Sequence, residues 1–162
     1  MMEPGPCHAV PWTEEQVTRF WEYQFAHHAS RYFSSRAALG LLRYLRGRVA
    51  WRGKVVVDFG CGPGYLLEEL LKVVGKGGGV YGVESSSGMT ARIRERFSRR
   101  PGFGGAVTWQ EIGSSLPEEQ VDVVVASEVL EHLSGETARD FARECRRLLR
   151  EGGGLVVTVP NE

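Results

Sequence analysis

The stretch Val55-Val56-Val57-Asp58-Phe59-Gly60-Cys61-Gly62-Pro63-Gly64 decides how this chain folds. It starts as an apolar run, reaches an acid and continues with three glycines at alternate positions. Apolar residues at helical spacing follow it: Leu66, Leu67, Leu70, Leu71 and Val74. The pattern predicts a buried strand, a glycine-rich loop and a helix. Glycines let a ligand approach the backbone and a helix N-terminus offers free N–H groups, so this loop is predicted to bind a nucleotide-type ligand.

Two phosphate-binding motifs fit the loop poorly. The dinucleotide fingerprint is G-x-G-x-x-G, whereas this chain has G-x-G-x-G, with Tyr65 at the place of the third glycine. A P-loop closes with Gly-Lys-Ser/Thr, but no lysine lies between Lys54 and Lys72. An NAD-dependent oxidoreductase stays open as an alternative, with the missing glycine counting against it.

A second short apolar run also ends in an acid. Val80-Tyr81-Gly82-Val83-Glu84 places Glu84 20 residues beyond Gly64. A carboxylate at the end of a neighbouring strand can accept hydrogen bonds from both ribose hydroxyls, and it would repel a 2′-phosphate. Glu84 therefore predicts an adenosine ribose in the site and disfavours NADP.

Further motifs follow in the carboxyl-terminal half. Leu116-Pro117 precedes Val121-Asp122-Val123-Val124, the run E-V-L-E-H covers residues 128–132, and L-L-R-E-G-G-G-L covers residues 148–155. Together with the D-x-G-C-G-P-G loop and Glu84, these features make the chain resemble the class I S-adenosylmethionine-dependent methyltransferases. The resemblance covers roughly residues 50–160, and the small-molecule enzymes typified by ubiquinone biosynthesis are the most similar group.

The resemblance implies an α/β fold, a Rossmann-like, doubly wound and mainly parallel sheet. The family has seven strands in the order 3-2-1-4-5-7-6, and this sequence ends directly after the fifth, so the last two strands are expected to be missing. Leu155–Val159 would then form an exposed apolar edge. Either the chain is a fragment or something covers this edge, and we expect a homodimer joined there or an amino-terminal segment laid across it.

The resemblance also implies S-adenosyl-L-methionine, or its product S-adenosyl-L-homocysteine, as the cofactor, with in-line methyl transfer to an unidentified, small-molecule acceptor. The implied cofactor-binding residues are Asp58, Gly60, Cys61, Gly62, Gly64, Glu84, Ser85, Glu111, Ser127 and Glu128. Among these, the glycine loop holds the methionine portion and Asp58 orients its amino end, while Ser127 and Glu128 border the methyl group. Glu111 is expected at the adenine amino group, with plain solvent exposure as the alternative.

No catalytic residue is assigned. His132 is the candidate for a base or a substrate contact, because ligands gather beyond the carboxyl ends of strands in open α/β sheets. The alternative is a helix-start residue bonded to the backbone. Tyr23, Tyr32 and Phe33 are candidates for a lid over the cofactor, against simple aromatic packing.

Composition narrows the function classes further. The formal net charge of the 162 residues is zero, so bulk electrostatics favour neither nucleic acid nor membrane as a partner. The arginine-rich segments 19–54 and 92–100 are interpreted as solvated helix faces, with an anionic substrate group as the alternative. No signal peptide or membrane span is recognised, and Cys7, Cys61 and Cys145 lack the spacing of a metal or disulfide site. We therefore expect a cytoplasmic protein without a metal.

Hydrophobic periodicity separates residues 1–34, an amino-terminal arm and a helix capped at Thr13, from residues 35–162. The resemblance implies that residues 35–162 are the S-adenosylmethionine-binding domain. Helices are predicted near 35–47, 64–74, 87–98 and 135–149, and strands near 54–59, 79–84, 106–110, 121–126 and 154–159. Because an incomplete sheet can bind a cofactor without enclosing a substrate, a non-catalytic S-adenosylmethionine-binding or assembly module is a second alternative function.

Overall fold

The computed structural model describes residues 13–28, 33–116 and 118–160. Its helices are α1 (Glu14–His28), α2 (Phe33–Leu45), α3 (Tyr65–Val74), α4 (Ser87–Phe97), α5 (Ile112–Ser115) and α6 (Gly135–Leu148). Its strands are β1 (Val55–Phe59), β2 (Gly79–Glu84), β3 (Phe103–Thr108), β4 (Val121–Ser127) and β5 (Leu149–Thr158). Short 3-10 turns at Trp109–Glu111 and Leu130–His132 follow β3 and β4.

The five strands form one sheet in the order β3-β2-β1-β4-β5, and every pair is parallel. Asp58 is in register with Gly82 on one side and with Val125 on the other. Because parallel strands share a direction, Asp58 near the end of β1 and Glu84 at the end of β2 come to the same end of the sheet as the end of β4. The predicted α/β, doubly wound fold is confirmed, and the described sheet is parallel throughout.

Apolar residues cover both faces of the sheet. Val56 of β1 points into a core shared with α2, α3 and α4, and Val57 points into a second core shared with α5 and α6. Both valines are fully buried, which is the pattern of a parallel strand covered on two sides. The continuous apolar runs in the sequence have this physical cause.

Two strands begin earlier than their sequence pattern predicts. β3 starts at Phe103 instead of 106 because Phe103 pairs with Val80 and Gly105 pairs with Tyr81, although glycine has poor strand propensity. Gly104 lies at an irregularity between these two pairs. β5 starts at Leu149 instead of 154 because Leu149 pairs with Val121. The next paired residues are Val123 and Gly154, so the glycine-rich segment between them bulges out of the ladder.

The outer edge of β5 is apolar and exposed. Within the described residues β5 pairs only with β4. Leu155 is 44% exposed, Val157 38% and Val159 54%. Among the described helices, none combines the length and the apolarity that crossing a bilayer requires.

Asp122 connects the strands at the end of the sheet opposite to Asp58 and Glu84. Its carboxylate accepts hydrogen bonds from the Val55 backbone N–H (2.8 Å), Lys54 Nζ (3.0 Å) and Arg150 Nε (2.7 Å). Partial burial acts to raise the pKa of Asp122, but these donors outweigh it and hold the pKa below its ordinary value. Asp122 thus ties β1, β4 and β5 together and has a structural role.

Candidate functional site

Two adjoining cavities open at the carboxyl ends of β1, β2 and β4, under α1. The smaller has a volume of about 360 Å³ and contains the glycine loop, Asp58 and Ser127. The larger, of about 660 Å³, contains Glu84 and Ser85. Four residues line both cavities and so mark their junction: Trp21, Gly60, Glu128 and His132. Crevices beyond strand ends are where ligands bind in open α/β sheets.

The glycine loop is held close to its neighbours. The N–H groups of Gly60 and Cys61 both donate to the Val83 carbonyl, at 2.8 and 3.0 Å. Gly60 has a φ of 70° and a Cβ there would come within 2.5 Å of Val129 Cγ2. At Gly64, which has a φ of 81°, a Cβ would come within 2.7 Å of Phe97 Cε2. Both positions require glycine for conformation and for space.

Asp58 carries an unpaired carboxylate oxygen. The residue is 2% exposed, and Oδ2 has no hydrogen-bond partner among the described residues. Burial, with the nearby Glu84 carboxylate as a second cause, raises the pKa of Asp58 from 3.8 to about 8. Unpaired buried polar groups are rare in folded proteins, and a cation in the smaller cavity would satisfy this one.

Glu84 already bonds to the loop beside it. Oε2 accepts from the Gly62 N–H at 2.8 Å, and Oε1 accepts from the Ser85 N–H at 2.8 Å and the Ser85 hydroxyl at 3.0 Å. A carboxylate has about four lone-pair sites, so Oε2 keeps one acceptor position for a ligand hydroxyl. Glu84 thus connects the ends of β1 and β2 and still faces the larger cavity.

Cys61 fills space between the loop and β2. A Cβ on Gly82 would lie 2.8 Å from Cys61 Sγ. Burial raises the pKa of the Cys61 thiol well above its ordinary value, which removes it as a nucleophile. The described residues contain no group of three or more His, Cys, Asp or Glu side chains that could hold a metal ion.

Ser127 and Glu128, at the end of β4, are joined by Thr158 of β5. Thr158 Oγ1 donates to Glu128 Oε1 at 3.0 Å and lies 2.9 Å from Ser127 Oγ. The Thr158 carbonyl accepts from the Glu128 N–H at 3.0 Å. Sequence reasoning missed Thr158, because nothing in its local pattern shows which strand it will pair with.

His132 stands at the cavity junction. Its ring packs edge-to-face against Trp21, with centroids 5.0 Å apart, and its Nε2 lies 3.9 Å from Glu131 Oε1. Its backbone N–H donates to the Val129 carbonyl, as expected for a residue in a 3-10 turn. The structure thus shows the backbone bond of one interpretation and the cavity position of the other.

Glu111 lies outside the lining of both cavities. Its carboxylate accepts from the Thr108 N–H at 2.8 Å and pairs with Arg94 at 3.1 Å. The Thr108 hydrogen bonds and Arg94 lower the pKa of Glu111. The adjacent Trp109 and Gln110 line the larger cavity instead. The predicted contact of Glu111 with adenine stays a prediction, and Trp109 and Gln110 are residues that the sequence reasoning missed.

Helix α1 covers the site. Thr13 and Gln16 form the reciprocal hydrogen bonds of a capping box at its start. Glu22 accepts from the Ser86 hydroxyl at 2.8 Å, which docks α1 next to Glu84. The lid candidate Tyr23 is 56% exposed and packs on His27 and His28. Tyr32 and the Phe33 side chain lie outside the described part of the chain.

The α1 residues that line the smaller cavity are Trp21, Gln24 and His28. Sequence reasoning assigned no site role to Trp21 or Gln24, because the position of α1 over the sheet depends on tertiary contacts.

Comparison with known proteins identifies relatives of this chain. The chain is 35% identical over 109 residues to a probable S-adenosylmethionine-dependent methyltransferase of Mycolicibacterium smegmatis, covering 67% of this chain and 39% of that protein. It is 32% identical over 124 residues to a ubiquinone biosynthesis O-methyltransferase of Cupriavidus pinatubonensis, covering 74% and 47%. A SAM dependent methyltransferase structure from Aquifex aeolicus superposes with a TM-score of 0.61 at 20% identity, covering 86% and 69%.

The matches thus span less than half the length of both curated relatives. The family described as methyltransferase domain matches residues 57–155, more than half of this chain and the whole segment from β1 into β5. This match argues against the alternative of an NAD-dependent oxidoreductase. The chain belongs to the class I S-adenosylmethionine-dependent methyltransferases.

Proposed function

We propose that this chain binds S-adenosyl-L-methionine in the two joined cavities and takes part in methyl transfer to a small-molecule acceptor. The observation that carries the proposal is the unpaired Oδ2 of Asp58, buried beside the glycine loop. The amino group of the methionine portion is a cation of the kind that this oxygen lacks. The loop glycines leave room for the methionine portion beside it.

The larger cavity suits the adenosine portion. Oε2 of Glu84 has an acceptor position left for a ribose hydroxyl. The Ser85 hydroxyl can turn away from Oε1, which leaves room there for a second ribose hydroxyl. Met89 and Trp109 offer apolar surface for the adenine ring, and Gln110 offers an amide for its polar edge. We assign Gln110 to the place for which Glu111 was the candidate.

The reaction needs little chemistry from the protein. When bound, S-adenosylmethionine supplies a methyl carbon that its positively charged sulfur has already made electrophilic. Asp58 and Glu84 fix the orientation of the two ends, and α1 with Trp21 excludes water from the junction. His132 would accept a proton only from an acceptor that arrives protonated.

The charges of the cavity walls bear on the acceptor. Among the described residues that line the two cavities, carboxylates are frequent and neither lysine nor arginine occurs. A phosphate or carboxylate group on the acceptor would find no counter-ion there. We therefore propose a neutral or cationic acceptor, and interpret the arginines of α2 and α4 as surface charges.

The exposed edge of β5 supports a homodimer as part of this proposal. The half-exposed Leu155 and Val159 and the free ladder of β5 form a template for strand pairing. Sedimentation of the chain at micromolar concentration tests this. A dimer that Val157→Lys dissociates is the expected result, and a monomer at all concentrations contradicts it.

The alternative of a non-catalytic module rests on the limited length of the match to the curated relatives. Calorimetric titration with S-adenosylhomocysteine tests binding, and incubation with methyl-labelled S-adenosylmethionine and a panel of neutral, amine and phosphorylated acceptors tests transfer. Binding with transfer to a neutral or amine acceptor is expected. Binding without any transfer favours the module, and absence of binding overturns the proposal. We retain the predicted cytoplasmic location within this proposal.

A further inference from the structure

Glu128 has a backbone conformation that its side chain disfavours. Its φ is 56°, in the left-handed region, where a residue other than glycine is uncommon. Such conformations cluster at functional sites, where the surroundings enforce them. Glu128 is also one of the four residues at the junction of the two cavities. The strained backbone at Glu128 lowers the stability of the fold, and the surrounding structure holds the carboxylate in this place.

Thr158 is the residue that enforces this placement. It is in register with Ser127, its carbonyl accepts from the Glu128 N–H, and its hydroxyl donates to Glu128 Oε1. The single hydroxyl proton of Thr158 goes to Glu128, so Ser127 must be the donor in the 2.9 Å contact between the two hydroxyls. A chain of oriented hydroxyls therefore ends on the carboxylate, and Oε2 of Glu128 remains available to the cavities.

The cavity junction corresponds to one atom of the cofactor. If the methionine portion lies in the smaller cavity and adenosine in the larger, the sulfur that connects them lies at the junction. That sulfur is positively charged in S-adenosylmethionine and neutral in S-adenosylhomocysteine. No ion pair joins Glu128 to a basic side chain within the described residues, so its negative charge faces this position uncompensated.

We infer that Glu128 recognises the sulfonium charge and that Thr158 is the positioning residue that holds Glu128 for it. This inference rests on the proposed function and adds one contribution to it: the Glu128 carboxylate strengthens binding of the charged cofactor more than binding of the neutral product.

The test measures the affinities of both ligands for the purified chain by calorimetry. It compares, between variants, the Kd for S-adenosylhomocysteine divided by the Kd for S-adenosylmethionine. Glu128→Gln should lower this ratio about tenfold relative to the wild type, the scale of one partly screened charge pair, mainly by weakening the charged ligand. Thr158→Val should lower the ratio in the same direction, and Thr158→Ser, which keeps the hydroxyl, should restore it.

The ratio separates recognition from damage, because a distorted site weakens both ligands alike. An unchanged ratio in Glu128→Gln overturns the inference while leaving the proposed function intact. A wild type that binds neither ligand overturns the proposed function itself. Glu128→Gln keeps the backbone bond to Thr158, so it decides the charge recognition even if Thr158→Val does not fold. A ratio in Thr158→Ser as low as in Thr158→Val overturns the positioning role.

Discussion

Asp58→Asn is expected to stabilise the ligand-free protein at neutral pH while it weakens cofactor binding. The pKa of Asp58 is raised from 3.8 to about 8 in the folded state, so the folded chain keeps a proton that the unfolded chain releases. Between pH 3.8 and about pH 8 the unfolded state binds fewer protons than the folded state. The free energy of unfolding therefore falls as the pH rises, by at most about 1.4 kcal/mol per pH unit.

Between pH 5 and pH 7 this single group therefore costs the wild type roughly 2 to 3 kcal/mol of stability. Asparagine matches the protonated acid in shape and does not titrate. Urea unfolding of both proteins at several pH values gives the difference in their free energies of unfolding, in which histidines and other groups common to both cancel. The difference should grow in favour of Asp58→Asn from pH 5 to pH 8. Parallel curves would refute the raised pKa.

Ligand binding should release the proton that Asp58 holds in the ligand-free protein. If the amino group of S-adenosylhomocysteine pairs with the Asp58 carboxylate, binding below pH 8 must expel the proton. Affinity for the wild type then rises with pH up to about tenfold per unit, and Asp58→Asn removes this dependence. Calorimetry in buffers of different ionisation heat counts the released proton. Binding without proton release at pH 6.5 contradicts the pairing.

Four further substitutions test the site and its surroundings. Gly60→Ala should reduce affinity for S-adenosylhomocysteine more than about tenfold, because its Cβ would meet Val129 at 2.5 Å and its φ is 70°; normal calorimetric binding contradicts this. Gln110→Ala should weaken binding about three- to tenfold, whereas the matched Glu111→Ala should leave the Kd unchanged, and the reverse order restores Glu111 as the adenine contact. Asp122→Asn should lower the free energy of unfolding by about 1 to 3 kcal/mol in urea and leave the Kd unchanged.

The sequence predicts the central part of the fold well for a physical reason. β1 and β2 are short buried parallel strands, so polar side chains are nearly absent from them until the acid near the end of each one. Asp58 and Glu84 are therefore placed correctly at one edge of the sheet. The glycines between β1 and α3 are required by positive φ values and close packing. These local requirements make the loop recognisable from the sequence alone.

The remainder of the site depends on contacts between distant parts of the chain. Gln110 instead of Glu111 lines the larger cavity because β3 ends at Thr108, two residues earlier than predicted, and a 3-10 turn follows it. Thr158 reaches Glu128 only because β5 lies beside β4. Trp21 reaches His132 because α1, whose Glu22 accepts a hydrogen bond from Ser86, lies over the ends of the strands. None of these neighbours is visible in local sequence periodicity.

A crystal structure of this chain with S-adenosylhomocysteine tests the central claim most directly, since it shows where the cofactor lies and which groups bind it. The account predicts the ligand across both cavities, with its amino group on Asp58 Oδ2, a ribose hydroxyl on Glu84 and its sulfur beside Glu128. A ligand bound with its amino group away from Asp58, or bound outside the cleft between α1 and the ends of β1, β2 and β4, would contradict it.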